Sequence, residues 1–188
     1  MKKIYLGSEV MVSDPCYSVP TWCQHKLTDV LPGEYSSTAF KSDDTGGWGM
    51  RCAALVAVHK DYLEDELAWR TVTGATIGVD SGQCGIFDVE SYRNDTIADE
   101  ITAPKMDFML PCDGEGDKWY EKMCRLTLGD QQWGSYNTGV VSSSGCGDGS
   151  YRLLVAKHKG KIVGIAIDYL LFNLKSIHFN NIINEQLV

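Results

Sequence analysis

Residues 150–171 constrain the fold more than any other stretch, because they read as two strands and the reversal that joins them. Residues 150–158 carry Leu153, Leu154, Val155 and Ala156 in their middle, and residues 161–171 are apolar almost throughout. Lys159-Gly160 lies between the two runs. A two-residue loop with glycine suits the right-handed twist of paired strands, so a β-hairpin is expected here. The apolar run from Ile162 to Phe172 is interrupted by Asp168. It falls well short of the roughly 20 residues of a membrane helix and is read as a buried strand.

Strand patterning recurs upstream, at residues 9–12, 34–41, 69–79, 85–87 and 138–142. Residues 48–59 contain Cys52-Ala53-Ala54-Leu55-Val56-Ala57-Val58, a run that predicts a central strand covered on both faces. The Asp-Asp-Thr-Gly-Gly stretch at 43–47 predicts a tight reversal before it. Two segments read as helices: 20–27, with proline in its first turn, and 117–126, where Trp119, Met123 and Leu126 share a face. Residues 60–66 are charged and read as loop or a short helix. Periodicity fails from 90 to 116, a length at which loops are usually functional or mobile. About eight strands and two short helices, without regular βαβ alternation, predict an α+β, β-rich fold: a mostly antiparallel sheet, sandwich or barrel.

A chain of 188 residues, 44% apolar and 22% charged, is expected to form one globular domain over 1–188, with 172–188 as a packed C-terminal extension. No linker or long-period repeat interrupts it. The formal charge of −8 repels phosphate backbones and anionic lipid, so neither nucleic acid nor a membrane is the expected partner. Seven cysteines are an odd number for a disulfide framework, and the first residues reach Glu9 before any long apolar stretch, unlike a secretory signal. Reduced, mostly buried thiols in a cytoplasmic protein are expected.

Three polar segments stand apart from the strand pattern: Ser13-Asp14-Pro15-Cys16-Tyr17, residues 79–88 and residues 142–151. The last two share the order Ser-Gly, Cys, Gly. Glycines this dense let backbone approach a ligand closely and aim successive N–H groups at an anion. Gly145 to Ser150 contains no lysine and runs into a strand, which excludes a Walker loop, and no strand–glycine–helix unit supports a dinucleotide fingerprint. Ordinary β-turns are the plainer alternative for each. A site requires both glycine segments to fold to one rim and share a cavity. Its candidate ligand-binding residues are Asp14, Ser81, Gly82, Gln83, Ser144, Gly145, Gly147 and Gly149, with Asp80 and Asp148 for hydroxyls or a metal. Trp48 and Arg51, beside Gly46-Gly47, add a stacking surface and a cation.

Asp14, Asp80, Asp88 and Asp148 all lie at ends of expected strands. If they converge, they would hold Mg²⁺ or Mn²⁺ and polarise a phosphoryl oxygen, with Asp80, Asp88 and Asp148 as the core ligands. Capping of their own turns is the alternative for each. Cys16 or Cys84 with His59 would make a nucleophile pair, against inert buried thiols. Cys16, Cys23 and His25 lack the spacing of a zinc site.

Ser-Asp-Pro-Cys-Tyr at 13–17, Trp22-Cys23, Trp48-Gly49-x-Arg51-x-Ala53-x-Leu55 leading to His59, Val79-Asp80-Ser81-Gly82-Gln83-x-Gly85-Ile86-Phe87-Asp88, Trp119-Tyr120 and residues 142–151 occur in that order. Together they resemble a family of phage-encoded and bacterial proteins with no assigned activity. Gly147-Asp148-Gly149-x-Tyr151, followed by the Gly-Lys-Ile-Val hairpin, is also similar to a broader family whose domain has no assigned function. The resemblance covers most of residues 9–171. It implies a phage or prophage origin, action in the host cytoplasm and interference with a host function, nucleotide-signalled defence included, but no catalytic residue. Three functions remain open: a binding protein for a small anionic, nucleotide-like ligand; a metal-assisted hydrolase; and an acidic inhibitor of a host protein with no small-molecule site.

Overall fold

The computed structural model describes residues 1–43, 46–106 and 112–170. Its elements are β1 (Lys2–Leu6), β2 (Val10–Ser13), β3 (His25–Leu27), β4 (Gly33–Ser42), β5 (Arg51–His59), β6 (Arg70–Val79), β7 (Gln83–Asp88), α1 (Asp117–Thr127), β8 (Trp133–Tyr136), β9 (Gly139–Ser143), β10 (Gly149–His158) and β11 (Lys161–Asp168). The strands make two antiparallel sheets that do not close into a barrel. One has the order β1-β4-β5-β11-β10-β6 and the other β3-β2-β7-β9-β8. The fold is therefore β-rich, as the strand patterning implies.

Period-two alternation explains how the sheets stack. In β5, Leu55 and Ala57 point into the cluster between the sheets, while Ala54, Val56 and Val58 form a second cluster on the outer face. In β2, Val10 and Val12 enter the shared core and Met11 faces outward with Phe87 and Val141. That outer face is covered by α1, whose Trp119, Met123 and Leu126 pack on it. The uninterrupted apolar run of β5 thus reflects a strand with packing on both sides, next to β11 in the middle of the larger sheet. Lys159 and Gly160 both take positive φ, 47° and 81°, as the β10–β11 hairpin requires.

Three strands escape the sequence pattern. β1 and β8 are short edge strands, and β3 occupies residues expected to be helical. Residues 20–27 form no helix because their polar groups are committed elsewhere. The Gln24 side chain accepts from Thr21 N (2.9 Å) and donates to Ser13 Oγ (3.0 Å) and the Tyr92 hydroxyl (2.9 Å), while Trp22 projects into solvent at 87% exposure. The strand expected from residue 48 begins at Arg51, after an exposed link in which Gly49 takes φ +73°. The reversal at 43–47 and the extension at 172–188 lie partly or wholly outside the described residues. Among the described residues no helix is long and apolar enough to cross a membrane.

Antiparallel order sends alternate strand ends the same way, and that places the site. β2, β4, β6, β9 and β11 end at one rim of the stacked sheets, where β5, β7, β8 and β10 begin.

Candidate functional site at the glycine rim

β2 runs into Asp14-Pro15, and proline has no N–H to continue the ladder. Asp14 is fully buried. Its Oδ1 accepts from Cys16 N (2.8 Å) and the Ser81 hydroxyl (2.7 Å), and its Oδ2 from Asp80 N (2.8 Å) and Ser81 N (2.7 Å). The 80–82 turn is therefore the amide cradle its glycine and serine suggest, and the anion it holds is the chain's own carboxylate. Gly82 N, the next amide, donates to Asp148 Oδ1 at 3.1 Å.

The second glycine turn lies directly against the first. Ser144 N donates to Gly82 O at 2.9 Å, Gln83 pairs with Ser143, and Gly149 pairs with Val79. Within this turn Gly145 and Gly147 take φ +57° and +113°, Ser144 Oγ donates to Gly147 O (2.8 Å), and the Tyr151 hydroxyl donates to Gly147 O (2.6 Å) and Ser144 O (2.9 Å). The two segments do fold to one rim. They meet in contact rather than across a cavity, since bonds between them fill the space.

A further layer locks the 13–17 segment. The Tyr92 hydroxyl donates to Tyr17 O (2.7 Å), Arg93 Nη1 reaches Pro15 O and Cys16 O (both 3.1 Å), and Arg93 Nη2 reaches Asp117 Oδ1 (3.1 Å) at the start of α1. At the other side of the rim, Gln132 stitches the sheets together. Its Nε2 donates to Met50 O (2.9 Å) and its carbonyl accepts from Ser143 N (2.8 Å). None of Gln24, Tyr92, Arg93 and Gln132 stands in a glycine motif. They occupy irregular stretches, where sequence spacing gives no partner.

The remaining candidates divide. Gln83 is buried, with its Oε1 accepting from Thr127 Oγ1 (2.8 Å), so its side chain anchors α1 and faces no ligand. Arg51 opens β5 opposite Ser42 and sits two strands from Gly149, roughly 10 Å away at 4.7–4.9 Å per strand. Its Nε is buried without a hydrogen-bond partner among the described residues, and Trp48 beside it is 61% exposed. Asp88 does not join the other aspartates. It ends β7, roughly 17 Å along the strand from Gln83, and holds Gly7 N (2.7 Å) and Glu90 N (3.0 Å) at the opposite rim. That separation removes the expected three-aspartate metal set, and the Asp14 oxygens are already filled by four donors. Among the described residues no group of three or more His, Cys, Asp or Glu side chains is arranged to hold a metal ion.

Nor do cysteine and histidine meet. Cys84 pairs with Ser142 at the glycine rim, whereas His59 ends β5 at the other rim, edge-on to Tyr35 with ring centroids 5.2 Å apart. Burial first, then the hydrogen bond and charge of Asp14 and the charge of Asp80, push the Cys16 thiol far above its ordinary range. Burial does the same to Cys84. Both shifts favour the protonated thiol over the nucleophilic thiolate, and none of the seven cysteines forms a disulfide.

Compared with protein-family models, curated proteins and solved structures, the chain has no match in any of the three.

Proposed function

We propose that this chain is a non-catalytic binding protein that docks on a basic protein partner through the glycine rim. The carrying observation is where the exposed apolar surface lies. Of the large apolar side chains exposed among the described residues, Val19, Trp22, Trp48, Met50 and Leu128 flank the glycine turns, and Met1 and Tyr5 lie elsewhere. Exposed tryptophan and methionine are the residues that anchor interfaces when a partner covers them. Trp22 stands beside Cys23, whose carbonyl accepts from Gly78 N near the end of β6, and Trp48 stands at the tip joining β4 to β5. Four strand spacings separate β6 from β4, about 19 Å, which fits within an interface of about 800 Å² per partner. Asp80 and Asp148 are exposed between these anchors, so a basic surface is the complementary one.

The internal bonding of the rim supports binding over catalysis. Asp14, Ser81, Gly82 and Ser144 are occupied with each other, which stiffens the turns and leaves a preformed surface with little ordering cost on association. The resemblance to phage-encoded proteins makes a host cytoplasmic protein the partner to seek, its function countered by occupation.

The test uses the purified chain, a Trp22→Ala/Trp48→Ala variant and a Tyr5→Ala control as baits in bacterial extract. Expected is a stoichiometric partner that the double variant loses, the control keeps and rising salt weakens. A partner kept by the double variant, or lost equally by the control, overturns the proposal, as does the absence of any stoichiometric partner.

A further inference from the structure

Away from the glycine rim, a cleft reaches the edge of the core between the sheets. Leu27 of β3, Val72 of β6, Val155 of β10 and Ile162 of β11 belong to that core or pack against it, and all four also line a cavity of about 640 Å³. The cause is topological. β3 has three residues at the edge of its sheet, and β6 is an edge of the other sheet. β6 pairs with β10 at Arg70–Val155 and Thr71–Leu154, but the register slips between Arg152 and Leu154. A short edge strand opposite an irregular one leaves a gap at the margin of the core, floored by the buried Leu27, Val155 and Ile162 and by the half-buried Val72. One wall is fixed by Ile162 N donating to Asp29 O and Leu31 N donating to Ile162 O, both at 2.9 Å.

The mouth of this cleft is basic on a chain that is acidic overall. Lys26, Arg70 and Lys157 line it with one carboxylate, Asp29. Asp29 is paired with Lys161 (3.1 Å) and Lys26 with Glu9 (2.8 Å), whereas among the described residues Arg70 and Lys157 have no ion-pair partner. Their charges therefore face the cleft and the solvent rather than a carboxylate among the described residues. His25 also lines the mouth, and burial holds its imidazole below the ordinary range, so near neutral pH it offers a hydrogen-bonding ring without charge.

We propose that this cleft binds an amphipathic organic anion, with an aliphatic or aromatic body on Leu27, Val72, Val155 and Ile162 and a carboxylate, sulfonate or phosphate headgroup on Arg70 and Lys157. The volume lies within the roughly 300–1,000 Å³ of small-molecule sites, and such sites combine an apolar lining with a few placed polar groups. The guanidinium of Arg70 supplies the fork that grips a planar or tetrahedral oxyanion, and Lys157 adds a point charge. The cleft is separate from the glycine rim, so either site can fail without the other.

Binding of anilinonaphthalene sulfonate to the intact chain, followed by fluorescence, tests the proposal, with decanoate and decylamine as competitors and backbone NMR shifts to locate the site. Expected is one saturable site, displaced by decanoate and not by decylamine, with shifts at residues 70–72 and 155–157. Arg70→Glu with Lys157→Glu, both exposed positions, weakens binding about tenfold or more. Val72→Trp, which fills the cleft, abolishes it. Equal displacement by the amine, unchanged affinity in the charge-reversed variant, shifts centred on Trp22 and Trp48, or no saturable binding overturns the proposal.

Discussion

Asp14 grips Ser81 by both ends of one carboxylate: Oδ2 takes the Ser81 amide and Oδ1 takes the Ser81 hydroxyl, each at 2.7 Å. Sixty-seven residues separate the two, so this pair closes the loop that sets the end of β2 against the turn between β6 and β7. The carboxylate is fully buried and its Ser81 partner partly so, and a buried polar group left without its partner costs more than the bond itself contributes.

Asp14→Ala is expected to lower stability by about 3–5 kcal/mol, because four part-buried donors lose the fully buried carboxylate that accepts them all. Asp14→Asn keeps one oxygen but turns an NH₂ toward donors, so about 1–3 kcal/mol is expected. Urea unfolding with a common m-value measures both. An Asp14→Asn midpoint indistinguishable from wild type would mean that the carboxylate is not the keystone of the rim.

The tryptophans divide by burial. Trp119 is fully buried, edge-on to Phe87 at 5.0 Å and to Tyr92 at 5.3 Å, with its Nε1 donating to the Tyr136 hydroxyl at 3.3 Å. Trp119→Ala is expected to cost about 3–5 kcal/mol, whereas Trp22→Ala stays within about 0.5 kcal/mol. Thermal unfolding of the two variants checks the contrast. A large loss at Trp22 would place that ring against this chain rather than free for a partner.

Thiol labelling separates the cysteines by environment as well as by access. Cys146 is exposed, while Cys16 is half-buried and its thiol is held protonated by burial and by Asp14. With a disulfide reagent near neutral pH, Cys146 is expected to react first and Cys16 to lag by more than its partial exposure implies. Mass spectrometry of the labelled peptides reads the order, and a Cys16 that matches Cys146 in rate contradicts the environment assigned to it.

How legible the fold was depended on what each residue answers to. The β10–β11 hairpin, the doubly covered β5 and the amphipathic α1 could be read because burial repeats along the chain with the period of the element. β1 and β8 could not, since an edge strand buries too few side chains to leave a pattern, and β3 is only three residues long. At the site, Asp14, Gly82 and Asp148 were recognisable as a constellation because turn chemistry is local. Their role was not, because the partner of each amide is set by tertiary contact. Asp88 carries the same turn signal as Asp80, yet the six-residue length of β7 sends it to the far rim.

A pH titration of stability isolates His25. Burial lowers its folded pKa below the ordinary value of 6.5, so the unfolded chain takes up a proton before the folded one does. The stability that the neutral ring permits is fully present above the unfolded pKa and is lost as pH falls toward the folded one. From about pH 7 to about 5.5, above the range where carboxylates titrate, wild type is expected to lose stability relative to His25→Gln, whose side chain cannot charge. Urea midpoints across that window give the comparison. Two parallel curves would mean that water reaches the imidazole freely, and the mouth of the cleft would then be wider and wetter than its lining residues imply.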